Sequence, residues 1–531
     1  MRSFRGLGAG ALTLGVLASL AACGSGANGD ADAAGNLRVF LTEPTSLLPQ
    51  VDTGSQVSMA TCANLMEESA ESKKLEPLVA DSIESKDNQH WRITLKDWTF
   101  HDGTQVTASS YVDAWNATAY APNGYAGNGT FNIFEGFEAL NPAGGGTPKS
   151  KTMSGVEAVD DKTIEITLTS PNADLPYRLS TNPTCPLPQA YFDDPDAYGE
   201  NPIGNGPYEF QSWEHDRQIV LKKWKDFPGD EAAFSGEADT LTFKIYTDVE
   251  AAYSDLVADN IDMILNPSPP LVDRARNDLG DEAAERIPEL RAQQFLAFPH
   301  YLEKYRDPAL RRAISMAIDR PALAKSVLKN QAEPSDSLVT PLFDSYRKGA
   351  CEACALDVPG AKKELAEARG NGFDGSVRIT FTPANGNELV VKAIAAQLQK
   401  NLGITVKLNP VLPATLTEQR TNKRFTGIYF GGWGLSYPSE DQFLSQYVTG
   451  GDGNDANGYS NPKVDKLESQ ALATTEEAER AKAYHQVEDA VLEDMPIAPL
   501  YLKYLYSLQS EKADAVAPTG DLQMYRSKVK G

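Results

Sequence analysis

The segment SVRITFTPANGNELVVKAIAAQLQKNLGITVKLNP, residues 376–410, contains the pattern that decides the fold. Its first eight residues alternate apolar and polar side chains as a β-strand does, and residues 404–410 form a second strand-like run. Between them, apolar residues recur at helical spacing over 387–402, and Gly403 ends the predicted helix. The predicted inward stripe consists of Leu389, Val390, Ala393, Ile394, Gln397 and Leu398. Strand, helix and strand in this order predict a βαβ unit.

Strands and helices are mixed along the rest of the chain. Residues 90–100 and 162–170 alternate as strands. Residues 307–319 predict a helix capped by Asp307 with Pro308 in its first turn. Its predicted inward residues are Leu310, Ala313, Ile314, Ala317 and Ile318. The 531-residue chain is longer than one hydrophobic core normally serves, so an α/β protein with more than one lobe is expected.

The first 22 residues predict an export signal. Arg2 and Arg5 precede an apolar stretch that is too short to span a bilayer comfortably. It ends in Leu-Ala-Ala-Cys at residues 20–23, which resembles a bacterial lipoprotein signal. In such proteins the cysteine, here Cys23, carries the lipid and becomes the mature N-terminus, so an anchor on the outer face of the cytoplasmic membrane is expected. The alternative is an ordinary secreted protein cut nearby.

The charge of the mature chain argues against nucleic acid as a partner. Removing residues 1–22 leaves 47 basic and 73 acidic residues, a net charge of −26. A surface this acidic repels both nucleic acid and anionic lipid. Residues 23–36 are small and polar and predict a flexible tether. The G-x-G-x-x-G match at Gly24, Gly26 and Gly29 has no strand before it, so it is interpreted as tether and not as a nucleotide site.

Four cysteines remain beyond Cys23, an even number that suits an oxidising compartment. Cys351 and Cys354 lie in a loop ahead of a helix, where a small structural disulfide is favoured over a thioredoxin-like redox site. Cys62 and Cys185 would then pair by elimination.

Several blocks, in order, resemble one family over nearly the whole mature chain. The family is the solute-binding protein family 5, the extracytoplasmic peptide-binding proteins of ABC importers. The blocks are TEPTSLLPQ (42–50), PLVADSIES (77–85), WRITLKDWTFHDGTQVTASSYVDAWNATA (91–119), NPIGNGPYEFQSW (201–213), DLVADNIDMI (255–264), RRAISMAIDR (311–320), GWGLSYPSEDQFL (432–444) and YSNPKVDKL (459–467).

The resemblance implies a bilobal α/β clamp with an additional subdomain in the N-terminal lobe. The implied divisions are a signal peptide (1–22), a tether (23–36), a lobe I core (37–58 with 203–284 and 496–531), the extra subdomain (59–202) and lobe II (285–495). It implies a monomer without cofactor or metal that captures a peptide and delivers it to permease subunits driven by cytoplasmic ATPases.

The resemblance also implies where the ligand binds. In the family, the block matching residues 432–437 lines the cleft and pairs its main chain with an extended peptide. Glycines there permit close approach of two backbones. The predicted ligand-binding residues are Thr53, Gly54, Ser55, Tyr125, Gly432, Trp433, Gly434, Leu435, Ser436 and Tyr437.

One position departs from the family pattern. Peptide binders of the family usually carry Asp before the tyrosine, where it pairs with the peptide ammonium, and this chain has Ser436. Burying an ammonium without a carboxylate is costly. Either another acid substitutes, with Glu440 and Asp441 nearest in sequence, or the ligand has no free amine there.

Other functions stay open at this point. The same clamp could take an oligosaccharide, a nickel chelate or haem, or could belong to a lipoprotein that senses peptides without importing them. An extracellular hydrolase is less favoured, because the five histidines are far apart in sequence and His-Glu-x-x-His is absent. His101 and Asp102 are adjacent in a sequence typical of a turn.

Overall fold

The computed structural model describes residues 35–69, 72, 74–384, 386–450, 456–514 and 523–529. The predicted signal peptide, Cys23 and residues 24–34 of the predicted tether lie outside these ranges. None of the helices in these ranges is both long enough and apolar enough to cross a membrane.

The strands of the described ranges are β1 (Asn36–Leu41), β2 (Met66–Glu68), β3 (Leu75–Pro77), β4 (Ala80–Ser85), β5 (His90–Leu95), β6 (Val156–Asp160), β7 (Thr163–Thr167), β8 (Tyr208–Glu214), β9 (Gln218–Lys223), β10 (Thr240–Ile245), β11 (Met263–Leu265), β12 (Ala284–Ala297), β13 (Ala332–Pro334), β14 (Ser376–Phe381), β15 (Thr405–Pro410), β16 (Ile428–Gly434), β17 (Ile497–Gln509), β18 (Ala513–Asp514) and β19 (Lys528–Val529).

The α-helices are α1 (Gln56–Thr61), α2 (Ala108–Ala119), α3 (Phe137–Leu140), α4 (Leu175–Arg178), α5 (Gln189–Asp193), α6 (Pro195–Glu200), α7 (Glu231–Phe234), α8 (Val249–Val257), α9 (Pro269–Leu279), α10 (Pro308–Met316), α11 (Arg320–Ala322), α12 (Val358–Gly370), α13 (Asn387–Leu402), α14 (Pro413–Thr421), α15 (Asp441–Leu444), α16 (Pro462–Ala473) and α17 (Glu477–Asp494). Short 3₁₀ turns are Ala121–Asn123, Ala126–Phe131, Asn182–Thr184, Asp281–Ala283, Glu303–Tyr305, Glu352–Cys354, Ser445–Tyr447 and Met524–Arg526, and Leu323–Val327 is a π turn.

The βαβ unit predicted from residues 376–410 is confirmed. Strands β14 and β15 pair in parallel from Ser376 with Thr405, and α13 connects them. The predicted inward stripe is partly wrong, because the buried face of α13 is centred on Val391 and Leu398. Leu389 lies on the opposite side of the helix and is 61% exposed. Gln397 is half-buried and accepts a hydrogen bond from the Asp319 amide at 2.7 Å.

The helix predicted around residues 307–319 is confirmed as α10. The Asp307 side chain accepts a hydrogen bond from the Ala309 amide at 2.9 Å, and Pro308 occupies the first helical position. All five predicted inward residues are buried. The helix ends at Met316, so Ala317 and Ile318 reach the core from the turn that follows.

One large sheet runs through most of the chain. Its strand order is β15-β14-β16-β12-β17-β11-β1-β10-β9-β8, and β13 pairs with β17 off this path. A separate antiparallel sheet, β4-β5-β7-β6, has its own apolar core, which includes Trp98 and Trp115 and draws on residues 48–234. Other cores surround β14 and β15 and, at the other end of the large sheet, β1, β9 and β10.

Two long strands join the two ends of the large sheet. β17 pairs with β11 through Leu508 and Ile264, and with β12 along most of its length. The register of the β12–β17 pair is interrupted between Ile287 and Ala292. Pro288, which has no N–H to donate, lies in this interval. The pairing of the two strands is therefore irregular at this interval, and its register shifts again between Gln294 and Phe295.

Both expected disulfides are present. Cys62 pairs with Cys185 across 123 residues of sequence, and Cys351 pairs with Cys354 across three. Cys62 follows α1, and Cys185 follows the turn Asn182–Thr184. The longer link therefore joins α1 to the segment that packs beside it.

We expect the two disulfides to differ in their effect on stability. A cross-link that closes a loop of more than 100 residues removes more unfolded-state entropy, about 5 kcal/mol against about 2 kcal/mol for a loop of four residues. Cys62→Ala with Cys185→Ala should therefore lower the melting temperature more than Cys351→Ala with Cys354→Ala, as measured by differential scanning calorimetry. The reverse order would contradict this assignment of roles.

Candidate functional site

A cavity of about 960 Å³ lies between segments that are distant in sequence. One wall comes from residues 53–67, 126–133 and 170–183, and the other from 435–450 with residues of α16. Leu265, Asn266 and Leu505 also line it, beside the interrupted part of the β12–β17 pair. The lining is mainly polar, with many Asn, Ser, Thr and Gly residues. Such a cavity can bind a ligand through hydrogen bonds on both sides.

Packing fixes the turn that carries Thr53 and Gly54. The Asn182 side chain donates to the Thr53 carbonyl at 3.1 Å. The Gln50 side chain donates to the Cys185 carbonyl at 3.1 Å, and the Gln50 carbonyl accepts from the Gly127 amide at 3.0 Å. A side chain at Gly127 would collide with Pro183. These contacts hold the first wall in place while Thr53 and Gly54 stay exposed.

The second wall continues directly from β16. Leu435, Ser436 and Tyr437 line the cavity immediately after the strand ends at Gly434. Ser436 is exposed, and its amide donates to the Gln442 side chain at 3.0 Å. Leu435 and Tyr437 are buried on either side of it. The strand thus places a short main-chain stretch at the cavity surface.

One edge of β16 is only partly paired. β16 pairs with β12 from Tyr429 to Gly434, whereas its pairing with β14 involves Ile428 and Tyr429. In the described ranges no strand pairs with the β14-facing edge beyond Tyr429. Unpaired main-chain groups at a strand edge are able to accept an extended peptide as an additional strand.

The structure brings five of the ten predicted ligand-binding residues to the cavity wall: Thr53, Gly54, Leu435, Ser436 and Tyr437. It places the other five elsewhere. Ser55 is buried and caps α1 by accepting from the Ser58 amide. The Tyr125 hydroxyl forms a hydrogen bond with the Tyr191 hydroxyl at 2.6 Å. Tyr125 packs against the core of the four-stranded sheet, next to the cavity residues Ala126 and Gly127.

Gly432, Trp433 and Gly434 lie within β16 and not on the cavity wall. A side chain at Gly432 would collide with Gln294 on β12, so packing inside the protein already explains this glycine. Gly434 has open space around it. The Trp433 ring packs on Phe295, with 4.9 Å between the ring centres. The guanidinium carbon of Arg420 lies over the Trp433 ring, 5.1 Å from the ring centre. Ligand contact by these three residues stays a prediction.

Charged residues outside the ten predicted ligand-binding residues also line the cavity. They are Arg178, Asp441, Glu468 and Glu67. Asp441 was a candidate because it follows Ser436 closely, but the sequence could not place it. Arg178 and Glu468 carry no recognisable motif. Only the folding of α4 and α16 against the residues after β16 brings them together.

Of the three carboxylates that line the cavity, Glu67 is bound by cationic and amide side chains of the protein itself. The Gln523 side chain donates to it at 2.7 Å, and Arg526 lies 3.4 Å away. Burial raises the pKa of Glu67, while Arg526 acts in the opposite direction. A structural ion pair therefore accounts for this residue.

Four carboxyl groups meet near Tyr437: Asp174, Glu440, Asp441 and Glu468. Burial raises the pKa of Asp174 to about 7, and the charge of Asp441 adds to the shift. Burial, followed by the charge of Glu468, raises the pKa of Asp441. Burial also raises the pKa values of Glu440 and Glu468. The group as a whole is short of compensating positive charge.

Direct contacts close one end of the cavity. The Ser439 hydroxyl donates to the Asp174 carboxylate, and the Ala173 amide donates to the Leu472 carbonyl at 2.8 Å. Asn88 donates to the Ala473 carbonyl at 3.3 Å. These bonds join the segment before α4 and the loop before β5 to α16 and the loop after β16.

His101 and Asp102 have separate hydrogen-bond partners. His101 Nε2 lies 2.9 Å from the Gly206 carbonyl, and burial lowers its pKa to about 4. Asp102 instead accepts from the Thr104 amide at 2.9 Å, within the expected turn. In the described ranges no group of three or more His, Cys, Asp or Glu is arranged to hold a metal ion.

Comparison with known proteins identifies the family. The family pattern of the bacterial extracellular solute-binding proteins, family 5, matches residues 74–455. The chain belongs to this family. Among family 5 relatives, it is 26% identical to the dipeptide-binding protein DppE of Bacillus subtilis, over 91% of this chain and 89% of DppE. It is 28% identical to the periplasmic oligopeptide-binding protein OppA of Salmonella typhimurium, over 80% of this chain and 78% of OppA.

A solved structure has the same fold as this chain. The structure of the ABC transporter substrate binding protein CtaP from Listeria monocytogenes superposes with a TM-score of 0.76 at 22% identity. The match covers 94% of this chain and 100% of CtaP. The predicted fold class, a bilobal α/β clamp, is confirmed.

Asp174 should make the stability of this family 5 protein depend on pH. The folded protein keeps the proton of Asp174 up to a pKa of about 7, against an ordinary value of 3.8. The folded state binds more protons than the unfolded state between these values, so stability from this group is lost as pH rises from about 4 to 7.

Asp174→Asn should therefore lose less stability than the wild type between pH 5 and pH 7, by up to about 3 kcal/mol. Melting temperatures measured across this range test the prediction. Asp226→Asn, at an exposed position, is the control. Equal pH dependence of Asp174→Asn and the wild type would contradict it.

Proposed function

We propose that this chain is the substrate-binding component of an ABC importer and that it captures peptides in the cavity between its two walls. In this proposal the protein is a monomer outside the cytoplasmic membrane. It delivers its cargo to permease subunits that cytoplasmic ATPases drive. Family membership supports the role in solute binding. That the solute is a peptide, and that it is delivered to a permease, are the further steps of the proposal.

The observation that carries the proposal is the junction of the partly unpaired edge of β16 with a polar cavity. A volume of about 960 Å³ is near the upper end of the range for small-molecule pockets. It suits a short extended chain. Main-chain hydrogen bonds give affinity that does not depend on side-chain identity, and trapped water adapts the side-chain pockets.

The names of the relatives point the same way. DppE is described as a dipeptide-binding protein and OppA as an oligopeptide-binding protein. CtaP is described as a substrate binding protein of an ABC transporter.

We further propose that the two lobes divide at the interrupted part of the β12–β17 pair. Of the boundaries expected from the sequence, the one near residue 285 lies close to this interval, whereas the one near residue 495 precedes β17, whose irregular part lies between Lys503 and Leu505. Ligand that touches both walls would favour the closed arrangement. A shift from mostly open to mostly closed requires about 5.5 kcal/mol of differential binding, which several main-chain hydrogen bonds can supply.

Native mass spectrometry of residues 24–531, before and after addition of a mixed peptide digest, tests the cargo. We expect a ladder of adducts with peptide masses. A single non-peptide mass that survives purification, or no peptide adduct, would contradict peptide capture. Peptide uptake that is independent of the permease would argue for a sensor.

The membrane anchor is a separate proposal that rests on the sequence around Cys23. Two acyl chains hold a protein on a membrane stably, whereas one does not. Cys23→Ser should move the protein from the membrane to the soluble fraction and abolish incorporation of labelled palmitate. A Cys23→Ser protein that stays on the membrane would contradict lipidation.

A further inference from the structure

One oxygen of the buried Asp441 carboxyl group receives no hydrogen bond, although the group lies within hydrogen-bond reach of the Glu468 side chain. Asp441 lines the cavity and is 1% exposed. Its Oδ1 atom accepts no hydrogen bond from any residue that the structure describes. Burying a carboxylate oxygen without a donor is unfavourable, so native proteins rarely leave one unpaired.

Glu468 lies beside Asp441 and also lines the cavity. It comes from the buried face of α16, whereas Asp441 begins α15. The Asp441 amide donates to Ser439 at 3.1 Å, which fixes the start of α15. Two buried carboxyl groups thus reach the same part of the wall.

Nearby positive charges offset the pair only in part, because the charge of Arg178 acts on both carboxyl groups but lies among four of them. Asp174 and Glu440 add two more carboxyl groups, against Arg178 and Arg480. Arg480 donates to the Thr474 carbonyl at 3.1 Å, and Arg178 donates to the Thr130 carbonyl at 3.5 Å. Among the described residues, none of the four carboxylates forms an ion pair with Lys, Arg or His, whereas Glu67 has Arg526.

We propose that Asp441 and Glu468 form a subsite for an ammonium group of the bound ligand. An ammonium carries three N–H donors and one positive charge, and so matches an unpartnered Oδ1 beside a second carboxylate. The inference rests on the proposed peptide cargo, whose ammonium comes either from the N-terminus or from a lysine side chain. The carboxylate that Ser436 lacks is then supplied five residues further along the chain and by α16.

The test uses a library of tri- to pentapeptides built from Ala, Leu, Ser and Glu, prepared with free and with acetylated N-termini. Native mass spectrometry measures the ratio of free to acetylated adducts in an equimolar mixture. A third set, acetylated but carrying one lysine, tests the other source of the ammonium. Because hydrogen bonds to charged groups are strong, the wild type should prefer an ammonium over the lysine-free acetylated peptides by about tenfold to a hundredfold.

Asp441→Asn and Glu468→Gln should each reduce this preference to about twofold or less, since either change removes a carboxyl group that can give up its proton to pair with the ammonium. Glu367→Gln, an exposed carboxylate of α12, should leave it unchanged. Continued binding of acetylated peptides shows that a variant is folded. If Asp441→Asn does not fold, the preference measured for Glu468→Gln alone tests the ammonium subsite.

The outcomes separate the two proposals. Equal binding of free, acetylated and lysine-containing peptides by the wild type overturns the ammonium subsite and leaves peptide capture intact. A preference that persists in both variants overturns the assignment to Asp441 and Glu468. Binding of no peptide of any set overturns peptide capture and this inference with it.

Discussion

The antiparallel pairing of β12 with β17 is the interaction on which the rest of the structure depends. These two strands connect β16, β14 and β15 with β11, β1, β10, β9 and β8 in one sheet. Main-chain hydrogen bonds on both sides of β17 keep it in place, and most of its residues are buried. One of the two register shifts of the pair, between Ile287 and Ala292, lies next to Leu505, which lines the cavity. In the proposed division into two lobes, bending there would change the distance between the walls.

The acidic residues around Tyr437 place a second constraint on the clamp. Asp174 and Ser439 come from opposite walls and meet in a buried hydrogen bond. A buried carboxyl near other carboxyls tends to keep its proton, and that explains the direction in which the pKa values of this group are shifted. The contacts that hold the walls together and the groups proposed to face the ligand are therefore coupled electrostatically. A cationic group of a ligand would reduce the repulsion between these carboxylates, which bound protons reduce when no such group is present.

Local sequence was sufficient for the elements whose signals lie within a few residues. The strand-helix-strand pattern of 376–410 and the Asp307 cap predicted β14, α13, β15 and α10. The position of Leu389 was not predictable from periodicity, because which side of α13 faces the core depends on the neighbouring strands. The wall residues Leu435, Ser436 and Tyr437 were found from one block. Arg178 and Glu468 were not, since nothing near them in sequence indicates that α4 and α16 pack beside the end of β16. Gly432 shows another limit of prediction from sequence. A glycine that makes room for Gln294 inside the protein cannot be distinguished in the sequence from one that makes room for a ligand.

Hydrogen–deuterium exchange of the mature protein, with and without a saturating peptide mixture, tests most directly whether the clamp closes on an extended main chain. If it does, amides of residues 430–437 gain protection together with residues 172–178 of the opposite wall, because ligand covers the first and closure covers the second. Protection that appears in neither segment, or only at sites remote from the cavity, would contradict the account.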